Sequence, residues 1–438
     1  MGSTARLSEN RRRALQLLAG SVCLAQGASA AKANAAVPDG IVLARQAGGD
    51  VVRDETYWAS VRRLFPLKPG LVHLNSANLA PSSLAVLDTE VSLSRDVCGD
   101  PSFENRLKFE ATTEATRRAL ATMLGADPDE IAITRNTSEG NRTVIAGLDL
   151  GPGDEVLIWD QNHESNSAAW DVWAARLGFK VVRVATPAAP RDRADLAAAF
   201  TSAFTDRTKV LAFSQVSNIS GVALPADALC RAAAARGILT LVDGAQTFGV
   251  LDLDLHAMGC DFYTASAHKW LGGPHETGVL YVRSLRAAAL WPSMVTHNWD
   301  AQSKAGARKF DCLGQRQEGR IAALHTAIAL QDQIGRPRIE QRIRHLVAEL
   351  RAGLMQTDLR LEFVTPRSPD MHAGILMFLI EAKNSSRVMA TFYERFRVSA
   401  LATPAGDRTL VRFSPNIYNS RADVLTAVAA VANAVMKG

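Results

Sequence analysis

Two residues 26 positions apart give this sequence its first chemical signal. Asp243 ends the apolar run Leu241-Val242-Asp243 and is followed by Gly244-Ala245-Gln246, while Lys269 lies in Ser266-Ala267-His268-Lys269-Trp270. A carboxylate closing a hydrophobic strand stands at the carboxyl edge of a sheet, where ligands collect in α/β folds. A lysine amine on a turn one strand later can hold an aldehyde as an imine and then exchange it for another amine. Taken singly, an aspartate after a strand is commonly a turn residue or helix cap, and a lysine a solvated surface group. In this order, with Gln246 beside one and a Ser-x-His turn before the other, the two together are far more specific.

Pyridoxal 5′-phosphate requires both groups. The amine carries the cofactor aldehyde, and a carboxylate beside the pyridine nitrogen keeps that nitrogen protonated, because an opposite charge favours the charged form. The protonated ring can then draw in electrons released at a substrate α-carbon. Two further segments suit the same cofactor. Thr134-Arg135-Asn136-Thr137-Ser138-Glu139-Gly140 lies between a strand pattern and a helix pattern. Its hydroxyls and backbone N–H groups can gather a phosphate at a helix N-terminus, although an ordinary helix cap has the same composition. His163, in Asp160-Gln161-Asn162-His163, also follows a strand and can stack on a pyridine face; a lone histidine is more often structural.

On these motifs the chain resembles the class V aminotransferase group of fold-type I pyridoxal-phosphate enzymes, which includes cysteine desulfurases, isopenicillin N epimerase-like proteins and related lyases. The resemblance runs from His73-Leu74-Asn75-Ser76-Ala77 to Val411-Arg412-Phe413 and on to Asn419. It implies an α/β fold, with a large domain whose mainly parallel sheet is flanked by helices and a smaller α+β domain. It implies that Lys269 forms the Schiff base, Asp243 pairs with the pyridine nitrogen and His163 stacks on the ring. Thr137, Ser138, Ser266 and His268 would contact the phosphate, with Gln246 and Asn218 on the ring-hydroxyl side. Arg412 would clamp a substrate α-carboxylate through its bidentate fork, with Asn78 also on the substrate side, and the protein would be a homodimer. Against desulfuration, the stretch Val398–Pro404 lacks the nucleophilic cysteine that desulfurases carry before the final arginine strand. Gln315 stands where relatives often have a threonine that reaches the neighbouring subunit's phosphate. Trp291–Asp300, with His297, Asn298 and Trp299, is expected either to line the substrate pocket or to pack in a core or interface.

The elements that must position these residues are legible as alternating patterns. Strands are expected at 130–134, 154–158, 180–184, 209–213, 239–242, 261–264 and 278–282, and helices at 114–124, 141–148, 168–177 and 225–236. Short buried strands alternating with helices give a mainly parallel sheet covered on both faces. Beyond about residue 305 the rhythm changes to long helices at 321–333, 339–355 and 422–436, with strands at 374–379 and 409–413. The expected organisation is thus a signal peptide (1–36), a linker and N-terminal segment (37–72), a large cofactor domain (73–305) and a small C-terminal domain (306–438).

Composition narrows the function classes. The chain has 438 residues, 47% hydrophobic, and a net charge of +5. Residues 1–36 hold Arg6, Arg11, Arg12, Arg13 and Lys32 against Glu9, so the remainder is nearly neutral and offers no phosphate-backbone footprint for a nucleic acid. The paired arginines, a mildly apolar run and the Ala28-Ser29-Ala30 and Ala33-Asn34-Ala35 sites read as a twin-arginine export signal, hence a periplasmic enzyme. No later stretch is long and apolar enough to span a membrane. The five cysteines show no close pairing and no metal-ligand spacing, so neither a disulfide framework nor a metal is expected. The expected activity is at the α-carbon of an amino-acid-like or aminoacyl substrate by transamination, epimerisation, elimination or decarboxylation, tailoring a secreted metabolite. The alternatives are a cytoplasmic C–S lyase or desulfurase-like enzyme and a non-catalytic cofactor-binding regulatory module.

Overall fold

The computed structural model describes residues 51–187, 190–296 and 299–437, so the expected signal peptide and His297 and Asn298 lie outside the described residues. The chain enters through α1 (Glu55–Arg62) and a two-residue strand β1 (Val72–His73), followed by α2 (Leu84–Gly99) and α3 (Lys108–Leu124). It then alternates as the sequence requires: β2 (Ile131–Thr134), α4 (Thr137–Gly147), β3 (Glu155–Trp159), α5 (Glu164–Leu177), β4 (Lys180–Val184), α6 (Arg193–Thr201), β5 (Thr208–Ser214), α7 (Ala226–Ala234), β6 (Leu239–Asp243), β7 (Phe262–Ser266) and β8 (Gly278–Val282). Long helices α8 (Glu318–Ile334) and α9 (Arg336–Met355) lead into β9 (Leu361–Phe363), β10 (Leu376–Ile380), β11 (Val398–Ser399), β12 (Leu401–Ala405), β13 (Arg408–Phe413) and α10 (Arg421–Lys437).

The seven strands of the first series form one sheet in the order β2-β8-β7-β6-β5-β3-β4. Only β8 runs antiparallel to its neighbours. Every residue of β2, β3, β7 and β8 is buried, as strands covered on both faces must be. One face packs under Leu120, Leu124, Leu229 and Ile328, and the other under Val144, Ile145 and Trp170. Because β2, β3, β6 and β7 share one direction, the turns after Thr134, Trp159, Asp243 and Ser266 all open at the same carboxyl edge of the sheet.

The second layer is an antiparallel sheet in the order β12-β13-β10-β9, with α9 and α10 packed on it. β1 pairs in parallel with β11, which brings the segment after His73 alongside this layer.

One boundary lies elsewhere than expected. Helix α8 packs on α2 and α3 and sends Ile321, Leu324 and Ile328 into the core of the large sheet, so the crossing to the smaller layer falls at Gly335 rather than near residue 306. In the N-terminal segment, Trp58 and Val61 pack with Ile339 and Ile343 of α9, and Arg62 pairs with Asp423 at 2.7 Å.

Candidate active site

Asp243 occupies the last position of β6, level with Ser214 of β5 and Thr264 of β7, and is 3% exposed. Its oxygens are both engaged: Asn141 Nδ2 donates to Oδ2 at 2.9 Å and the Ala245 N–H to Oδ1 at 3.0 Å. The chain can turn away directly after it because residue 244 is glycine; a Cβ there would lie 2.0 Å from the Tyr263 hydroxyl. Lys269 sits one turn beyond β7. Burial lowers its pKa from the ordinary lysine value, the nearby Arg412 charge adds to that, and Asp243 opposes it. Among the described residues no hydrogen bond or ion pair takes up its Nζ. His163 caps the start of α5, accepting from the Ser165 N–H, with its Nδ1 also 2.9 Å from Ser165 Oγ. Burial lowers its pKa too, and it responds to the charges of Lys269, Asp243 and Arg412. These four side chains, from four separate stretches of sequence, therefore occupy one electrostatic neighbourhood.

The start of α4 forms the next wall. The Thr137 N–H donates to Ser266 Oγ at 2.8 Å, and Thr137 Oγ1 lies 2.7 Å from the same oxygen. Helix and strand come this close because residue 140 is glycine; its Cβ would fall 2.0 Å from Thr264 Oγ1. Ser138 is exposed at the helix start and lies 3.5 Å from Ser165 across the gap to α5. His268 is half-buried beside Lys269 and His275, and desolvation brings its pKa down to about 4.

Arg412 arrives from β13, 5% exposed, with burial bringing its pKa down to about 10. Its Nη2 donates to Asn75 Oδ1 at 3.0 Å and its Nη1 to the Asn218 carbonyl at 3.2 Å, while its Nε is buried without a partner among the described residues.

The structure thus brings Lys269, Asp243, His163, Thr137, Ser138, Ser266, His268, Asn218 and Arg412 to one edge of the sheet. Two further candidates stand beside this set. The residue after β1 that meets Arg412 is Asn75; Asn78 is exposed, with its backbone N–H bonded to the Asn75 carbonyl. The Gln246 amide is anchored at both ends, donating to the Ala77 carbonyl at 3.0 Å and accepting from Trp270 Nε1 at 2.8 Å, a structural task in addition to any ligand contact. The sequence reading missed Asn75, Asn141 and Ser165. Asn141 was within reach of it, since a residue four places after Thr137 shares its helix face.

The donor set suits pyridoxal phosphate. A carboxylate fixed by two donors, a half-buried amine kept free of hydrogen bonds and a helix N-terminus with two hydroxyls beside it are the groups its ring nitrogen, aldehyde and phosphate need. The orphaned Arg412 Nε, costly to leave unmade when buried, suits an anion beside them. A metal is less suited to the chain's one cluster of ligand type among the described residues. In Asp127, Glu130 and His256, both Glu130 oxygens already accept, from Ser284, from the Asp127 N–H and from His256.

Comparison with known proteins agrees with this geometry. Residues 72–426 match the family described as aminotransferase class-V. The isopenicillin N epimerase of Amycolatopsis lactamdurans is 31% identical over 385 residues, covering 84% of this chain and 96% of that protein. A cysteine desulfurase of Yersinia pseudotuberculosis is 30% identical over 386 residues, covering 82% and 92%. Among solved structures, a cystine C–S lyase in complex with cysteine persulfide superposes with a TM-score of 0.77 at 23% identity, over 84% of this chain and 99% of that one, a likeness of fold. The expectation of periplasmic export is corrected: the cysteine desulfurases and the C–S lyase that this chain resembles argue against a twin-arginine-exported form.

Proposed function

The chain belongs to the class-V aminotransferase family of fold-type I, pyridoxal-phosphate-dependent enzymes, and from that premise we propose that it is a C–S lyase-like enzyme that removes the α-proton of an amino acid and expels a sulfur substituent from Cβ. Bound at this sheet edge, pyridoxal phosphate supplies the aldehyde that captures the substrate amine and the ring that takes up the electron pair of the broken α-bond.

The residues of the chain do the rest. Lys269 would take the proton from Cα; burial favours its neutral form, the form a base needs. Asp243, held in place by Asn141 and the Ala245 N–H, would offer its carboxylate to the ring nitrogen. His163 would lie against the ring, and Thr137, Ser138, Ser266 and the start of α4 would hold the phosphate. Arg412 would orient the substrate through its α-carboxylate, which sets the Cα–H bond for cleavage. Loss of the Cα proton and of the Cβ–S bonding pair to the departing sulfur leaves a Cα=Cβ bond, and hydrolysis yields a keto acid and ammonia.

The observation that carries this reading is the combination of a half-buried Lys269, without a hydrogen-bond partner for its Nζ among the described residues, with a sulfur-free final loop. Residues Val398–Pro404 contain no cysteine, and Cys230 and Cys260 are locked in the hydrophobic core, where burial raises their thiol pKa values. A desulfuration that relies on attack by a protein thiol from that loop is thereby disfavoured, whereas elimination needs only the lysine. A second reading, epimerisation at Cα, is favoured by the extent of the match to the isopenicillin N epimerase, and shares the same first proton transfer.

Incubation of the holoenzyme with L-cystine separates the two. Elimination predicts pyruvate, ammonia and cysteine persulfide in equal amounts; D-isomer formation without keto acid would overturn it in favour of epimerisation.

A further inference from the structure

We propose that Asn75 is the positioning residue of the Arg412 clamp and that, being neutral, it reserves the guanidinium's charge for substrates with a free α-carboxylate; this rests on the reading of Arg412 given above.

The segment after β1 is laced to the segment after β13. Ser414 N–H donates to the Leu74 carbonyl at 2.8 Å, the Ser76 N–H to the Ser414 carbonyl at 3.2 Å, and the Ala77 N–H to Ser414 Oγ at 3.1 Å. Asn75 is thereby fixed in a parallel bridge with Ser414, two residues beyond Arg412. From that place its Oδ1 takes one end of the guanidinium, and the Asn218 carbonyl takes the other. Of the five N–H donors of an arginine, three remain, including the buried Nε.

The other deeply buried arginines are treated differently. Arg117, 2% exposed, is paired with Asp311 at 2.6 Å and Glu114 at 2.9 Å, and Arg342, 0% exposed, with Glu55 at 2.7 Å. Arg412 has no carboxylate partner among the described residues and is given an amide oxygen and a peptide carbonyl instead. A buried cation with neutral partners keeps its charge uncompensated until an anion arrives. An aspartate has the shape of Asn75, so it would make the same contact while neutralising the clamp from within.

Spectral titration of the holoenzyme with L-alanine and with L-alaninamide reads this without turnover, since both carry the amine that reaches the cofactor and only one carries a carboxylate. The wild type is expected to prefer alanine. Asn75→Asp is expected to weaken alanine by about tenfold or more, through competition for the fork, while leaving alaninamide within about twofold, and to do so less as acid protonates the new carboxyl. Asn75→Ala is expected to weaken alanine as well, by freeing one end of the guanidinium. Equal loss for both ligands would mark Asn75 as merely structural and overturn the proposal. So would variants that keep the wild-type preference, which would leave the Arg412 reading standing. A wild type with no preference would overturn the Arg412 reading and this proposal with it.

Discussion

At the scale of single residues, the site is assembled from groups whose charge the fold has already biased. Lys269 and His268 are neighbours in sequence, and burial disfavours the charged form of both. For His268 the consequence for stability has a defined sign. Its folded pKa is held at about 4 against an ordinary 6.5, so between those values the unfolded chain binds a proton that the folded chain refuses. The contribution of the neutral ring is complete above pH 6.5 and is lost as pH falls toward about 4. His268→Gln should therefore lose less of its thermal midpoint than wild type does between pH 7 and pH 4.5. Parallel midpoint curves for the two proteins would show that His268 titrates as it does in the unfolded chain.

The residue scale also shows what a sequence can carry. Asp243 and Lys269 were readable because their surroundings are contiguous: an apolar strand ending in Asp-Gly, and Ser-x-His before the lysine. The contact of Asn75 with Arg412 spans 337 positions and exists only because β1 lies beside β11 while β13 lies in the adjoining layer. No local pattern announces it.

At the scale of elements, the central strands and helices were legible because burial on both faces leaves little but apolar residues in each strand. Helix α2 was not. Leu84, Leu87 and Val91 are exposed on it, so its apolar residues do not mark a single buried face. Strands β9 and β11 have three and two residues, too few for any period to show. The pattern of α8 was readable as a helix, but the layer that receives its apolar face is a tertiary fact, and Ile321, Leu324 and Ile328 would suit either core.

One element has a task beyond packing, since α4 presents Thr137 to Ser266 only because Gly140 lets it settle against β7. A methyl group at residue 140 would collide with Thr264 Oγ1 and lift the helix start. Overpacking of this kind costs about 1–3 kcal/mol, which is about five- to a hundredfold in equilibrium. Gly140→Ala should weaken pyridoxal phosphate binding by that factor, measured by titration of the apoprotein, and removing the obstacle in Gly140→Ala/Thr264→Ala should recover most of it. Unchanged affinity in Gly140→Ala would mean that α4 does not hold the phosphate.

At the scale of the whole molecule, the proposed cofactor lysine and the proposed carboxylate clamp come from different layers. Lys269 follows the large sheet, and Arg412 lies on the small one. The segment 74–80 ties them: Leu74 and Ala77 bond Ser414, Ala77 accepts from Gln246, and the Ala80 N–H donates to the His268 carbonyl at 3.0 Å. The two groups proposed to hold the substrate's amine and its carboxylate thus stand on layers that one short strap keeps in register.

The central claim is that Lys269 moves the α-proton of a carboxylate-bearing amino acid at this junction, whichever bond breaks next. Proton NMR of L-alanine with the holoenzyme in deuterated water tests it directly. Wild type is expected to replace the Cα proton by deuterium, and Lys269→Ala, supplied with the same cofactor and shown to retain its fold, is expected not to. Absence of exchange in wild type despite bound alanine, or exchange that persists without Lys269, would contradict it.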